Sequence, residues 1–500
     1  MRLKINKEFP FPVYLQIKNS IKEQILTGIL PPGFVLPPER KLADSNGVSR
    51  TTVIRAYDEL KALGLVESYI GKGTVVTERR EPDTSNKQSY VFPLSWYPLF
   101  DKKLGYVSDT ITDIMNVGHQ KDMISFAAGV GDPDLYPIKQ LKAIQAERAY
   151  NSEALNLCAV EGYYPLRESL SKLMQFRSLS VSPKEVMILS GSMQGIDFTA
   201  RTFLSPGDAV IVEEPTFLQA IQCFRAAGAK IIGIPLDDEG IRTDVLEAQL
   251  SRYKPKFIYT IPTFHNPTGI VMSMKRKMEL LHLAYKYQVP VLEDDPYGEI
   301  SFDQQERPPL KALDSYDYVI YLGTFSKVLF SGTRVGWVIG PEPVMKRFAL
   351  LKQITDLHVN TPGQFMLDRY LREGFYEAHL KNELAVYKKK RDFMAAALRQ
   401  NHGLIAFNVP DGGYYHWCRI PEQVSQKDLL SLCASKGMLF TPGTVFYPQE
   451  SDGAHFLRLN YTYESFERIT KGVAILIEAL EKLNGQKTED RVHRENRPIV

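Results

Sequence analysis

The sequence predicts two domains of different class: a small, mostly helical unit closed by a β-hairpin, then a large α/β unit with a largely parallel sheet. Three observations carry this. At 500 residues the chain is too long for one ordinary domain. Its first 77 residues combine helical apolar periodicity with one hairpin signal. From about 121 to 480, β-like runs alternate with helical stretches.

Taken in order, Val13, Ile17, Ile21 and Ile25 recur at four-residue spacing and predict an amphipathic helix ending near Gly28. Pro31-Pro32-Gly33 reads as a turn. Pro37-Pro38 opens a short helix from Glu39 to Ser45, which Gly47 breaks. Ser49 is a good N-cap for the next helix, where Val53, Ala56, Tyr57, Leu60 and Leu63 form one apolar stripe. Gly64 is its stop. The runs Leu65–Ile70 and Thr74–Thr77, joined by Gly71-Lys72-Gly73, read as a hairpin. Residues 78–120 open with a polar stretch and read as a linker. In 121–484 the β-like runs are Val186–Leu189, Ala209–Val212, Lys230–Ile234, Phe257–Ile261, Val289–Leu292, Tyr318–Leu322 and Trp337–Ile339. Residues 485–500 are polar and read as a disordered tail.

Composition excludes several classes. The chain is 44% apolar and 24% charged, which marks it as globular rather than intrinsically disordered. No run approaches the ~18 apolar residues of a membrane helix, and no apolar signal core follows Met1. Cys158, Cys223, Cys418 and Cys433 are scattered, which excludes a disulfide scaffold or zinc knuckle and fits a reducing compartment. The net charge of +3 is concentrated: residues 1–77 hold 11 basic against 7 acidic side chains. Such an excess is a hint of a nucleic-acid partner only beside a motif.

The motif is present. Two short helices joined by a tight glycine turn and followed by a hairpin outline a winged helix-turn-helix, whose second helix enters the major groove. The core stripe leaves Ser49, Arg50, Thr51, Ile54, Arg55 and Asp58 outward or at the helix start. Arg50 suits a guanine edge, and Ser49, Thr51 and Thr52 suit phosphate near the positive helix end. The glycines flanking Lys72 let a wing tip approach a backbone closely. On periodicity alone a helical protein–protein module fits equally well. However, Tyr14-x-Gln16-Ile17, Leu36-Pro37-x-Glu39-Arg40-x-Leu42-Ala43, Gly47-Val48-Ser49-Arg50-Thr51-Thr52-Val53 and Gly71-x-Gly73-Thr74 resemble the GntR-type DNA-binding domain almost end to end. The resemblance implies DNA contacts from Arg40, Ser49, Arg50, Thr51, Thr52, Gly71, Lys72 and Gly73. It also marks one departure: some members carry a DNA-contacting arginine at the position of Ile54.

In the larger unit, Lys327 follows a β-like run within Thr324-Phe325-Ser326-Lys327. A lysine there is usually surface charge, but it can also form a Schiff base with an aldehyde cofactor. Asn266-Pro267-Thr268-Gly269 and Asp294-Asp295-Pro296-Tyr297 each follow another β-like run, where open α/β sheets place ligands. These motifs resemble the fold-type I aminotransferases, and the resemblance implies pyridoxal 5'-phosphate as cofactor. By that match Lys327 is the catalytic, cofactor-bearing lysine and Asp294 faces the ring nitrogen. Tyr297 and Asn266 bond the ring oxygen, and Phe217 stacks on the ring. Thr324, Arg334 and the segment containing Ser192 and Met193 hold the phosphate, while Arg458 grips an α-carboxylate. Where the family carries a tyrosine that assists proton transfer at the partner subunit's cofactor, this sequence has Leu157. The departure predicts cofactor binding with poor turnover.

A GntR-type reader joined to such a body resembles the MocR/GabR-type transcriptional regulators. The resemblance implies a cytoplasmic, homodimeric regulator that binds double-stranded operator DNA and senses an amino compound, or pyridoxal 5'-phosphate itself. The alternative is a pyridoxal-phosphate-dependent aminotransferase acting on an α-amino acid, which Asn266 favours.

Overall fold

The computed structural model describes residues 1, 3, 13–26, 28–69, 71–77, 122–146, 155–303, 305–400 and 403–495. The segment read as a linker, 78–120, lies outside the described residues. The chain divides into two compact units.

In the first unit, α1 (Val13–Leu26) buries Ile17 and Ile21. Next, α2 (Glu39–Asn46) buries Leu42 and Ala43 and stops at Gly47, whose φ of 60° is the left-handed cap that favours glycine. Then α3 (Arg50–Ala62) buries Val53, Ala56, Tyr57 and Leu60 of the predicted stripe, while Leu63 is its half-buried C-cap. Ser49 is its N-cap, and the serine hydroxyl accepts from the Thr52 amide at 3.1 Å. The Tyr57 hydroxyl donates to the Pro37 carbonyl at 2.7 Å and fastens α3 to the turn before α2. An antiparallel hairpin comes after α3, β1 (Val66–Tyr69) and β2 (Gly73–Val76), in register Val66 to Val76. Strand β1 is shorter than its sequence run, β2 starts and ends one residue earlier than its own, and Ile70 lies outside the described residues. Gly71 and Gly73 take φ of 81° and 88°, so this turn requires its glycines. Val66 and Val76 close the core over Ile17, Leu42, Val53 and Leu60.

The second unit is built on one eight-stranded sheet. Its strands are β3 (Val186–Leu189), β4 (Ala209–Glu214), β5 (Lys230–Asp237), β6 (Gly240–Ile241), β7 (Ile258–Thr260), β8 (Val291–Asp294), β9 (Val319–Thr324) and β10 (Gly336–Ile339). Their order is β3-β10-β9-β8-β7-β4-β5-β6. Pairs β9/β8, β8/β7, β7/β4 and β4/β5 are parallel. Strand β10 runs antiparallel to both its neighbours. Strands β7, β8 and β9 are buried throughout, as a sheet covered on both faces requires. Helix α4 (Ser192–Phe203) follows β3, and α5 (Leu218–Ala226) follows β4. A four-stranded antiparallel sheet includes β11 (Tyr415–Arg419) paired with β12 (Phe456–Asn460). The final helix, α6 (Phe466–Glu495), corrects the sequence reading: the polar tail expected from 485 continues this helix to Glu495. Polar residues such as Glu, Lys, Gln and Arg are good helix formers, so low hydrophobicity alone does not end a helix that packing has started.

Two substitutions test the first unit. Leu60→Ala removes a fully buried side chain and is expected to cost about 2–5 kcal/mol. Ser49→Ala removes the cap, with the exposed bonds from the same hydroxyl to Thr51 and Thr52, and is expected to cost about 1 kcal/mol. Denaturant unfolding of the protein and its variants measures both.

Candidate functional site

The parallel strands β7, β8 and β9 end on the same side of the sheet; Asp294 is the last residue of β8, and Asn266 and Lys327 lie beyond β7 and β9. Beside them lies a cavity of about 240 Å³. Its wall contains all ten residues singled out for the cofactor and carboxylate: Ser192, Met193, Phe217, Asn266, Asp294, Tyr297, Thr324, Lys327, Arg334 and Arg458. Residues far apart in sequence therefore meet at one place.

Asp294 is the last residue of β8 and is 2% exposed. Its Oδ2 accepts from the Tyr259 hydroxyl at 2.8 Å, while its Oδ1 has no partner. Burial pushes its carboxyl up to about 7; the Tyr259 bond and the charge of Lys327 oppose the shift. The neighbouring Asp295 is occupied differently, since its Oδ2 accepts from Arg177 at 2.9 Å and Tyr321 at 3.0 Å. Of the two adjacent acids, Asp294 is the one that lines the cavity.

Lys327 follows β9 and donates its ammonium to the Gly129 carbonyl. Burial lowers its proton affinity below the ordinary value, against the pull of Tyr415. Arg458, on β12, is 5% exposed. It donates to Asn266 Oδ1 at 2.9 Å and to Ala127 O and Thr441 Oγ1 at 3.2 Å, and its Nε has no partner. Asn266 is thus linked to Arg458 as well as lining the cavity.

Elsewhere in the cavity wall, the start of α4 meets Arg334. The Arg334 guanidinium reaches Ser326 Oγ at 3.3 Å, Ser331 O at 3.2 Å and Ser190 O at 3.4 Å. Gly191 caps α4 with φ of 80°, and a Cβ there would lie 2.4 Å from an Arg334 nitrogen. Only glycine leaves that space open. Thr324 Oγ1 sits 3.0 Å from Ser326 Oγ. A helix N-terminus, a guanidinium and two hydroxyls in this arrangement suit a phosphate.

Four contributors escaped the sequence reading. Ser326 was visible in the motif beside Lys327 but not singled out. Tyr259 lies inside a β-like run that reads only as core. Thr441 and Tyr415 carry no local signal; Tyr415 bonds Tyr297 hydroxyl to hydroxyl at 2.9 Å. Leu157, where the resemblance expects tyrosine, is 79% exposed and lies outside the cavity wall. Tyr163 packs on Phe365, and neither it nor Tyr164 lines the cavity.

On the first unit, Arg40, Ser49, Arg50, Thr51, Gly71, Lys72 and Gly73 are exposed and Thr52 is half-buried. The Arg50 side chain is 64% exposed and 3.9 Å from Glu39. The hydroxyls of Thr51 and Thr52 lie 2.8 and 2.6 Å from Ser49 Oγ. Arg55 is held away from this group: its guanidinium lies 3.8 Å from the Tyr14 ring centroid and bonds the Tyr14 hydroxyl at 3.0 Å. Ile54 is half-buried on α3, so the departure at that position replaces a charge with an apolar side chain. No helix among the described residues is long and apolar enough to cross a membrane, and these residues contain no cluster suited to a metal ion.

The cavity fits pyridoxal phosphate on its own geometry. The unpaired Asp294 oxygen suits a protonated ring nitrogen, the α4 cradle suits the phosphate, and Lys327 suits the aldehyde. When bound, this group withdraws electrons from the α-carbon of an attached amine.

The Asp294 shift gives a sign for pH dependence. Its folded carboxyl holds a proton to about pH 7, whereas an unfolded one releases it near 4. The folded state therefore binds more protons between those values, and stability falls as pH rises through them. In cofactor-free protein, Asp294→Asn is expected to lose less melting temperature than wild type between about pH 5 and pH 8. Equal slopes for the two proteins would contradict the buried, unpaired carboxylate.

Comparison with known proteins agrees with both units. The family described as "Aminotransferase class I and II" matches residues 121–473, and "Bacterial regulatory proteins, gntR family" matches residues 13–76. The HTH-type transcriptional regulator YdfD of Bacillus subtilis is 33% identical over 92% of this chain and 95% of its own. Aromatic-amino-acid aminotransferase 1 of Thermococcus litoralis is 35% identical over 76% of this chain and 94% of its own. The crystal structure of LysN, the α-aminoadipate aminotransferase of Thermus thermophilus, complexed with N-(5'-phosphopyridoxyl)-L-leucine, superposes with a TM-score of 0.73 at 32% identity. That match covers 79% of this chain and all of LysN. The chain belongs to the transcriptional regulators that join a GntR-type DNA-binding domain to an aminotransferase class I and II domain, with pyridoxal phosphate as the cofactor of the second.

Proposed function

We propose that this protein is a cytoplasmic, homodimeric regulator in which the cavity binds pyridoxal phosphate on Lys327 and an amino compound with a carboxylate. The supporting observation is the meeting, in one cavity, of Lys327, the unpaired Asp294 carboxylate, the α4 cradle and the buried Arg458. In this reading Asp294 holds the ring nitrogen, and Tyr297 and Asn266 the ring oxygen. Phe217 lies on the ring, and Thr324, Arg334, Ser192 and Met193 hold the phosphate. Arg458 takes the effector's carboxylate. The exposed residues Arg40, Ser49, Arg50, Thr51, Gly71, Lys72 and Gly73 contact DNA together with the half-buried Thr52, and a dimer presents two readers to two half-sites. A ligand shifts such a system only through unequal affinity for its two states.

Borohydride treatment of the coloured protein should fix the cofactor to the Lys327 peptide; a colourless protein that takes up no added cofactor, or label on another lysine, refutes the assignment. Arg50→Ala should weaken specific DNA binding by about 1–3 kcal/mol if its contact is bidentate to a base. Binding should also fall steeply with salt, because phosphate contacts release counterions. Specific binding that survives removal of residues 1–77 contradicts the DNA assignment.

A second reading, an aminotransferase acting on an α-amino acid, draws on the bond between Asn266 and Arg458. The two separate cleanly. A sensor predicts that Lys327→Ala abolishes effector response while leaving DNA binding largely intact, with little steady-state transamination by wild type. Turnover on the order of 1–10³ s⁻¹ together with effector-independent DNA binding favours the enzyme.

A further inference from the structure

The start of α4 is tied to a buried ammonium that lies outside the cavity wall. Lys352, on the helix Glu342–Thr355, is 0% exposed and does not line the cavity. Its Nζ donates to Gln194 Oε1 and to both oxygens of Asp356, each at 3.0 Å, so all three ammonium protons are taken. Gln194 is the third residue of α4. Its Oε1 also accepts from the Ser190 amide at 2.9 Å, and its Nε2 donates to Asp356 Oδ2 at 2.9 Å. Ser190 is therefore held on both sides, its amide by Gln194 and its carbonyl by Arg334 at 3.4 Å.

A glutamine three residues into a helix that bonds back to an amide ahead of it is an ordinary cap. The cap by itself needs no lysine. Withdrawing an ammonium from water is costly, and apolar side chains of similar volume often stabilise a fold as well as a buried ion pair does. What the Lys352–Asp356 pair adds is direction. With a cation on one side and a carboxylate on the other, the Gln194 amide has one satisfied orientation. Its oxygen faces Lys352 and the Ser190 amide, and its nitrogen faces Asp356. Turned over, its NH2 would meet an ammonium and an N–H, and its oxygen would meet a carboxylate. The turn Ser190-Gly191-Ser192 is fixed through that amide, and beyond it Ser192 and Met193 line the cavity. The first N–H groups of a helix have no partner within it and suit an anion.

We propose that Lys352 and Asp356 are positioning residues for the cofactor's phosphate: they lock the Gln194 amide, and with it the start of α4, in the arrangement that receives the anion. This rests on reading the cavity as a pyridoxal phosphate site with its cradle at α4. Neither side chain lines the cavity, and both act through Gln194 and Ser190. Lys327 and Asp294, which serve the aldehyde and the ring, share no hydrogen bond with this group. The pair therefore acts on the phosphate and not on the ring.

The test compares pyridoxal 5'-phosphate with 5'-deoxypyridoxal, which keeps the ring and the aldehyde and carries a methyl group in place of the phosphate-bearing arm. Full-length wild type and Lys352→Met, each freed of cofactor, are titrated with both compounds, and the visible band gives each dissociation constant. Lys352→Met should bind pyridoxal 5'-phosphate about tenfold more weakly, the worth of about one hydrogen bond, and 5'-deoxypyridoxal as wild type does. Asp356→Asn keeps the side-chain shape and should weaken the phosphate compound selectively as well, so the comparison stands even where Lys352→Met does not fold. A merely structural loss would weaken both compounds alike. Equal weakening of the two, or an unchanged affinity for pyridoxal 5'-phosphate, in a folded variant overturns the positioning role and leaves the cofactor reading standing. Absence of any visible band in wild type with either compound overturns both.

Discussion

A carboxylate buried at the end of a parallel strand, with one oxygen unpaired, is the constraint on which the larger unit depends. Removing such a charge from water is costly unless it is paired, hydrogen-bonded or neutralised. Asp294 has one bond, from Tyr259, and its second oxygen has none. A fold gains nothing in stability from that arrangement. It is intelligible as a place kept for a cationic partner, and the cavity beside it has the chemistry for one. Asp295, one position along the chain, also has an oxygen without a partner, but its Oδ2 is paired with the cation Arg177 and bonded by Tyr321.

The sheet topology explains how one such carboxylate comes to command a whole site. Because β7, β8 and β9 are parallel neighbours, their chain-terminal ends lie side by side, and each delivers its polar residue to the same edge. The start of α4 arrives near them because β3 pairs with β10, which in turn pairs with β9. Arg458 comes from the second sheet, on β12, and reaches Asn266 across the cavity. The start of α4 with Arg334, and Arg458 from the second sheet, thus line one cavity together with Lys327 and Asp294. A molecule that fills the cavity connects both sheets.

Much of this was legible in the residues. Helical spacing placed Val53, Ala56, Tyr57 and Leu60 in the core of the first unit, because helix geometry puts all four on one face. Motifs beyond β-like runs identified Asn266, Asp294 and Lys327, since strand ends are where backbone polarity and ligands meet. The residues that escaped share a common cause. Tyr259 and Tyr415 sit inside strands, where a tyrosine reads as apolar area and its hydroxyl partner is decided by tertiary contact. Arg55 is exposed, as its place off the core stripe predicts, but its bond to Tyr14, 41 residues away, carries no local signal. The polar C-terminal stretch has the hydropathy of a disordered tail but the composition of a good helix former, and α6 runs on to Glu495.

In the proposed reading a cavity furnished for chemistry serves sensing, and the charges in it supply a physical reason. An enzyme and a sensor both need to hold the cofactor and an amine; they differ in how the binding is used. Rate comes from interactions present only in the transition state, and the resemblance to aminotransferases implies a tyrosine for one of them at the position where this chain has Leu157. A sensor needs instead that binding change the balance of two states. Buried charges without full compensation provide that leverage: Asp294 lacks one partner, Arg458 has an unoccupied nitrogen, and Lys327 is destabilised by burial. Each becomes better satisfied when an anion or cation of the right shape arrives. The free energy released is then available to favour one arrangement of the protein over another, without a completed reaction.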